Sequence, residues 1–389
     1  MTSKCTQSKK QNVLDSRLLR ILWAYWLLAG LFFLVPRHGR SQTQELHSSL
    51  DNATRTEVVE AAAKALEERY IFADVARAMA KELRAQNAAH AYDTLTSRTA
   101  FSKQLTADLY AIAHDKHIHV GSEDMRPGGP GGPGSGGPGG PGPGPRPGGP
   151  GPGLREPEGP PPSARVTEFK RLPGNIGYLR VDQMLPADSD NMNIDTAMAS
   201  LVNSNALIID LRHNGGGDPR MVADLCTYLF PAGAKIHLSD FVGRDDPTPR
   251  SSYTLPSVPG KTFAGDVYIL TSHFTFSGGE EMSYDLQALK RATIVGETTG
   301  GGANPGGPVP LPGNFSIFVP IGRPINPITK TNWEGVGVQP DVVVPADKAL
   351  EKAELLELKK LQAGKTISET DRREIDATLA DLEAKFSSR

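Results

Sequence analysis

From Pro127 to Gly153 every residue is glycine or proline except Ser135 and Arg146. Proline lacks a backbone N–H and glycine has no side chain to pack, so such a stretch enters neither a helix interior nor a central strand. Its glycines do not keep the strict every-third-residue period of a collagen helix. Residues 127–163 therefore read as an extended linker or long loop. The chain of 389 residues is long enough for two folded units, and this tract predicts one on each side of it.

On the N-terminal side, Lys4, Lys9, Lys10, Arg17 and Arg20 precede an uncharged run from Ile21 to Val35. A basic flank followed by about fifteen apolar residues is the build of a secretory signal, and is short for a membrane span. Pro36, Arg37, His38, Gly39 and Arg40 make a poor cleavage site, so residues 1–40 are a signal peptide or an uncleaved membrane anchor. Either way the rest of the chain is expected outside the cytoplasm, periplasmic or extracellular. Residues 44–120 then read as a helical N-terminal domain. Val58, Val59, Ala62, Leu66 and Tyr70 fall on one helical stripe, a second helix is predicted through Val75–Leu83, and a third over Thr99–Ala113.

Beyond the linker, 164–346, the pattern changes. Strands are predicted over 175–181, 206–212, 266–272 and 291–297, separated by helices around 193–202, from Pro219, and over 278–290. Apolar strands alternating with helices predict an α/β core with parallel strands. Residues 347–389 are charged and helical, read as a packing extension.

The formal net charge is −2, and no basic stripe interleaved with aromatics occurs, so nucleic acid is not an expected partner. Cys5 precedes the apolar segment and Cys226 falls in a predicted helix, so no disulfide framework is implied and Cys226 reads as a small buried apolar residue.

Four segments carry groups capable of chemistry. Ser277 follows an apolar strand and opens a helix, where unpaired N–H groups and the positive dipole end suit a nucleophile beside an oxyanion. The plainer reading makes Ser277 an N-cap with Glu280 in a capping box; the two are compatible. Asp210 to Gly217 (DLRHNGGG) can turn sharply after a strand and present N–H groups, though a Gly triplet alone is equally a connector, and no P-loop pattern is present. His114, His117 and His119 are a weak metal pattern without a Cys cluster or H-E-x-x-H, and a single histidine acting as general base is preferred. Glu334, beside Trp333 and a Gly-rich strand, is either a constrained carboxylate or an exposed turn residue.

Together these segments resemble peptidase family S41, the C-terminal processing peptidases, in the branch similar to interphotoreceptor retinoid-binding protein and the tricorn protease core. The resemblance covers roughly 50–120 and 165–345. It is carried by Asp210, Arg212, Asn214, Gly216 and Gly217; by Ser277 and Glu280; by Gly296, Glu297, Thr298 and Gly300; and by Glu334, Pro340 and Asp341. It implies a ClpP/crotonase-like catalytic core and a serine endopeptidase. Ser277 would be the nucleophile, His117 the base within Asp115-Lys116-His117, Glu334 its orienting group, and Gly216 and Gly278 the oxyanion amides. The Ser–Lys branch places its lysine twenty-five residues after the serine, which here is Gly302. The Gly/Pro tract stands where a PDZ-like insert is found in processing peptidases. Peptide or unfolded protein substrates are implied, with no cofactor and no metal. The rival implication is an inactive binder of apolar, retinoid- or fatty-acid-like ligands on the same fold.

Overall fold

The computed structural model describes residues 50–122, 165–184, 194–246, 248–364 and 369–387. The apolar segment before residue 50 and the Gly/Pro tract lie outside the described residues. Among those described, no helix is long and apolar enough to cross a membrane.

Three helices come first: α1 (Asn52–Arg69), α2 (Ala73–Ala88) and α3 (Arg98–Ala113). Asp51 starts α1 by accepting from the Thr54 N–H at 2.7 Å, which satisfies one orphan donor of the first turn. His114 ends α3 in the left-handed region at φ 52°. Strand β1 (His119–Ser122) follows.

Past the tract come β2 (Arg165–Leu172), β3 (Ile176–Gln183), α4 (Ile194–Leu201), β4 (Ala206–Asp210) and α5 (Pro219–Thr227). Next are β5 (His237–Gly243), β6 (Arg250–Tyr253), β7 (Asp266–Thr271), α6 (Gly278–Ala288) and β8 (Thr293–Gly296). The chain ends with β9 (Gly306–Leu311), β10 (Phe315–Pro320), β11 (Gly322–Ile325), β12 (Val342–Val343), α7 (Ala349–Ala363) and α8 (Glu369–Ser387).

A six-stranded sheet of order β12-β8-β7-β4-β3-β2 forms the centre. It is parallel except for the β2–β3 pair. Every residue of β4 is buried, as a central parallel strand covered on both faces requires. Leu207 and Ile209 point with Leu179, Val181 and Ile269 into the core under α4, α5 and α6. Ile208 points the other way, with Tyr178, Leu270 and Val295.

That second face is closed by Ala349, Ala353 and Leu358 of α7 and by Ile375, Leu379 and Leu382 of α8. Helices α7 and α8, within the predicted extension 347–389, are thus one of the two helical layers of the core. The N-terminal helices also differ from expectation. Their core, around Leu66, Met79, Leu83, Phe101 and Leu105, is completed by Leu311, Phe315, Ile317 and Val319 from the β9–β10 hairpin, on which β1 pairs. The two sides of the Gly/Pro tract therefore share a core. A third small sheet, β11-β5-β6, was likewise not expected from the sequence.

Candidate active site

The site forms where β4 and β7 end, at the carboxyl edge of the parallel sheet, the usual position for a site in an open α/β fold. Asp210 closes β4. It is 1% exposed and holds Arg212 in an ion pair while accepting from the Tyr178 hydroxyl at 2.7 Å. Burial would raise its pKa, but the Arg212 guanidinium and Tyr178 hold it below the usual carboxylate range. Its work is to anchor the turn that follows.

Asn214, fully buried, shapes that turn. Its Nδ2 donates to the Val181 carbonyl at 2.9 Å, and its Oδ1 accepts the Gly216 N–H at 2.8 Å. Gly216 and Gly217 take φ of 99° and 139°, a region that excludes ordinary side chains. A Cβ at Gly216 would lie 2.6 Å from the Cβ of Ser277. The expectation that Gly216 presents a free amide is corrected here, because Asn214 occupies it. The N–H groups of Gly217 and Gly278 have no hydrogen-bond partner among the described residues, and a Cβ on Gly278 would stand 3.3 Å from the Gly217 nitrogen. The two free amides are neighbours.

Ser277 opens α6 with φ 50° and ψ −118°, a conformation costing about 1–3 kcal/mol for a residue with a side chain. The strain is held by Glu280. This carboxylate, fully buried, accepts from the Ser277 N–H (2.9 Å), the Gly302 N–H (2.9 Å), the Gly301 N–H (2.6 Å) and the Thr299 hydroxyl. Burial raises its pKa, and those four donors oppose the rise. Glu280 thus clamps the Ser277 turn to the strap 299–302.

His117 follows α3 and immediately precedes β1, which begins at His119. The His117 ring, 8% exposed, packs against Phe276 at 4.7 Å between centroids and against Phe318 at 5.8 Å. Phe276 is the residue before Ser277, which places the imidazole one ring away from the turn. Burial holds His117 below its ordinary pKa, partly offset by the Asp115 carboxylate, so the ring is a neutral base near pH 7. His114 and His119 are exposed, and among the described residues neither joins His117 in a cluster of ligand-capable groups.

Asp115, which sequence reasoning left without a role of its own, is 1% exposed and central. It accepts from the His117 backbone N–H (2.9 Å), the Tyr70 hydroxyl (3.2 Å) and Asn304 Nδ2 (3.0 Å), and its Oδ1 lies 3.9 Å from His117 Nδ1. Its only sequence signal is the spacing Asp-x-His.

Glu334 lies in a loop rather than beside a strand. Its Oε2 accepts from the N–H groups of Ala303 (2.6 Å) and Asn304 (3.1 Å). Burial first, then the neighbouring Asp115 charge, push its pKa up to about 7. One ligand-capable atom from each of Asp115, His117 and Glu334 lies within 4.8 Å of the others. Glu334 and His117 are therefore brought together, although they are distant in sequence.

Gly302 explains why no lysine occupies this site. A Cβ there would meet the Phe276 ring at 2.1 Å and His117 Cε1 at 2.9 Å. A side chain at 302 and an imidazole at 117 compete for one space. Lys116 instead reaches the strap from outside, donating to the Gly300 carbonyl.

Comparison with known proteins decides the family. The Peptidase family S41 model matches residues 175–344, and the model for the N-terminal domain of Peptidase_S41 in eukaryotic IRBP matches residues 49–133. The chain belongs to peptidase family S41. Tricorn protease of Thermoplasma volcanium is 29% identical over 136 residues, which is 34% of this chain and 12% of that protein's length. A solved structure of a candidate peptidase from Parabacteroides merdae is 18% identical, with a TM-score of 0.50, covering 87% of this chain and 99% of that one. A lipoprotein structure from Streptococcus agalactiae gives 14% identity and a TM-score of 0.49, covering 79% and 97%. The S41 fold, a helical region ahead of an α/β sheet core, is the architecture of this chain.

Proposed function

We propose that this S41 chain is a serine endopeptidase that works outside the cytoplasm on peptides or unfolded protein segments. The observation that carries the reading is the strained Ser277 at the N-terminus of α6, beside two free amides and one aromatic ring from a neutral, buried imidazole.

In the proposed reaction His117 takes the Ser277 proton as the hydroxyl attacks a peptide carbonyl. Glu334 and Asp115, whose carboxylates lie within 4.8 Å of a ring nitrogen, stabilise the imidazolium that forms. The Gly278 and Gly217 amides receive the oxyanion; losing one such donor costs about 2.7–4 kcal/mol of barrier. His117 gives the serine proton to the leaving amine as the acyl-enzyme forms, then takes a proton from the attacking water and returns it to Ser277 as the acyl-enzyme is hydrolysed. The basic and apolar N-terminus supports export, either as a cleaved signal or as an uncleaved membrane tether.

The apolar-ligand reading finds less support. A cavity of about 400 Å³ at the opposite end of the strands is lined by Asp266, Lys290, Arg291, Asp341 and Lys360, which offer an apolar chain little to bury against. Turnover of an unfolded protein substrate tests the proposal. His117→Ala and Glu334→Gln should reduce it severely while leaving the fold intact; activity unchanged in both would end it.

A further inference from the structure

His117 Nδ1 is buried and has no hydrogen-bond partner among the described residues, and neither has Glu334 Oε1. The ring that carries Nδ1 is 8% exposed, and the Asp115 beside it 1%. Asp115 Oδ1 stands 3.9 Å from that nitrogen, and the donor atoms of Asp115, His117 and Glu334 fall within 4.8 Å of one another. Two carboxylates and an imidazole therefore aim lone pairs at one small volume. A single proton there can bridge only one pair of atoms, whereas a divalent cation engages all three.

We propose that Asp115, His117 and Glu334 form a three-ligand zinc site, and that zinc bound there is an inhibitor. An imidazole nitrogen with two carboxylate oxygens suits Zn²⁺ better than Mg²⁺ or Ca²⁺, which prefer all-oxygen shells of higher number. Zinc bonds of about 2.0–2.2 Å put tetrahedral ligands roughly 3.4 Å apart, so the Asp115–His117 spacing of 3.9 Å must close slightly and the widest spacing, up to 4.8 Å, needs a side-chain rearrangement on binding. The two carboxylates balance the ion's charge, and the fourth position is left for water.

The inhibitory step follows from the imidazole's proton count. Zinc on Nδ1 leaves the neutral ring its one proton on Nε2, where no lone pair remains to receive the serine proton. A proton held by Glu334 passes to solvent. This consequence rests on the catalytic reading above; the metal site itself does not.

The test begins with full-length Ser277→Ala, which removes the hydroxyl and none of the ligands. Titration with zinc chloride in a calorimeter near neutral pH should show one zinc bound per chain. The binding should disappear when His117→Ala is added and weaken with Glu334→Gln, folding being checked by circular dichroism. Should His117→Ala unfold, Asp115→Asn takes its place. In the unmutated protein zinc should block labelling of Ser277 by a fluorophosphonate, chelation should restore it, and magnesium should have no effect. Absence of zinc binding in Ser277→Ala, or binding that survives removal of His117, overturns the site. Zinc bound through His117 with labelling unimpaired overturns the inhibition. Zinc bound in a protein that is never labelled keeps the metal site and removes the catalytic reading.

Discussion

A side chain at position 302 would begin 2.9 Å from Cε1 of His117, so Gly302 and the imidazole are a matched pair. The strap 299–302 is held down by Glu280 and by Trp333 Nε1, which donates to the Gly302 carbonyl at 2.9 Å, so it cannot simply retreat. Gly302→Ala should therefore displace Phe276 or His117. A misplacement of about 1 Å at a reacting group costs roughly a hundred-fold. Steady-state peptide hydrolysis should show that loss in kcat, and chemical unfolding should show a loss of about 1–3 kcal/mol from the overpacking.

Glu280 accepts four hydrogen bonds on two oxygens. Glu280→Gln replaces one oxygen with an NH₂ that faces donors, so up to two buried donors lose their acceptor. At about 1–3 kcal/mol for each unsatisfied group, the variant should be markedly less stable in a denaturant titration. Ser277 should also lose reactivity, because the same carboxylate fixes its strained turn.

The acid limb of activity should report Glu334 as well as His117. Glu334 sits at about 7 and His117 below its ordinary value, and the proposed mechanism needs the first charged and the second neutral. The pH profile of kcat/KM should therefore rise through about 7. In Glu334→Gln the limb should move down toward the His117 titration, on a lower plateau. Stability follows the opposite sense for Glu334. Its folded pKa is raised, so its favourable contribution is full below the ordinary 4.5 and is lost as pH rises through about 7. Glu334→Gln should gain melting temperature relative to the parent at pH 8 compared with pH 4.

Leu358, on α7, is fully buried against the second face of the sheet. Leu358→Ala should cost about 2–5 kcal/mol, measurable by chemical unfolding. Removal of residues 349–387 should yield insoluble protein, since Tyr178, Ile208, Leu270 and Val295 would face water.

The parallel centre of the fold was legible because strands such as Ala206–Asp210 are apolar on both faces and alternate with helices. The β9–β10 hairpin was not, because GGPVPL alternates glycine and proline with apolar residues and mimics a loop. Its role in closing the N-terminal core depends on contacts across some two hundred positions, which no local pattern encodes. The same holds within the site. Ser277 and His117 were marked by their junctions and spacing, whereas the capture of the Gly216 amide by Asn214, which hands the free position to Gly217, depends on where one side-chain oxygen folds back. Asp115 gained its place only when Tyr70 and Asn304 were seen to converge on it.

The central claim is that Ser277 is an activated nucleophile. Incubating the full-length protein with a fluorophosphonate and locating the adduct by mass spectrometry tests it most directly. The account predicts one adduct on Ser277, absent in Ser277→Ala and strongly slowed in His117→Ala. Labelling that persists without Ser277, or a folded protein that never labels in zinc-free buffer, would contradict it.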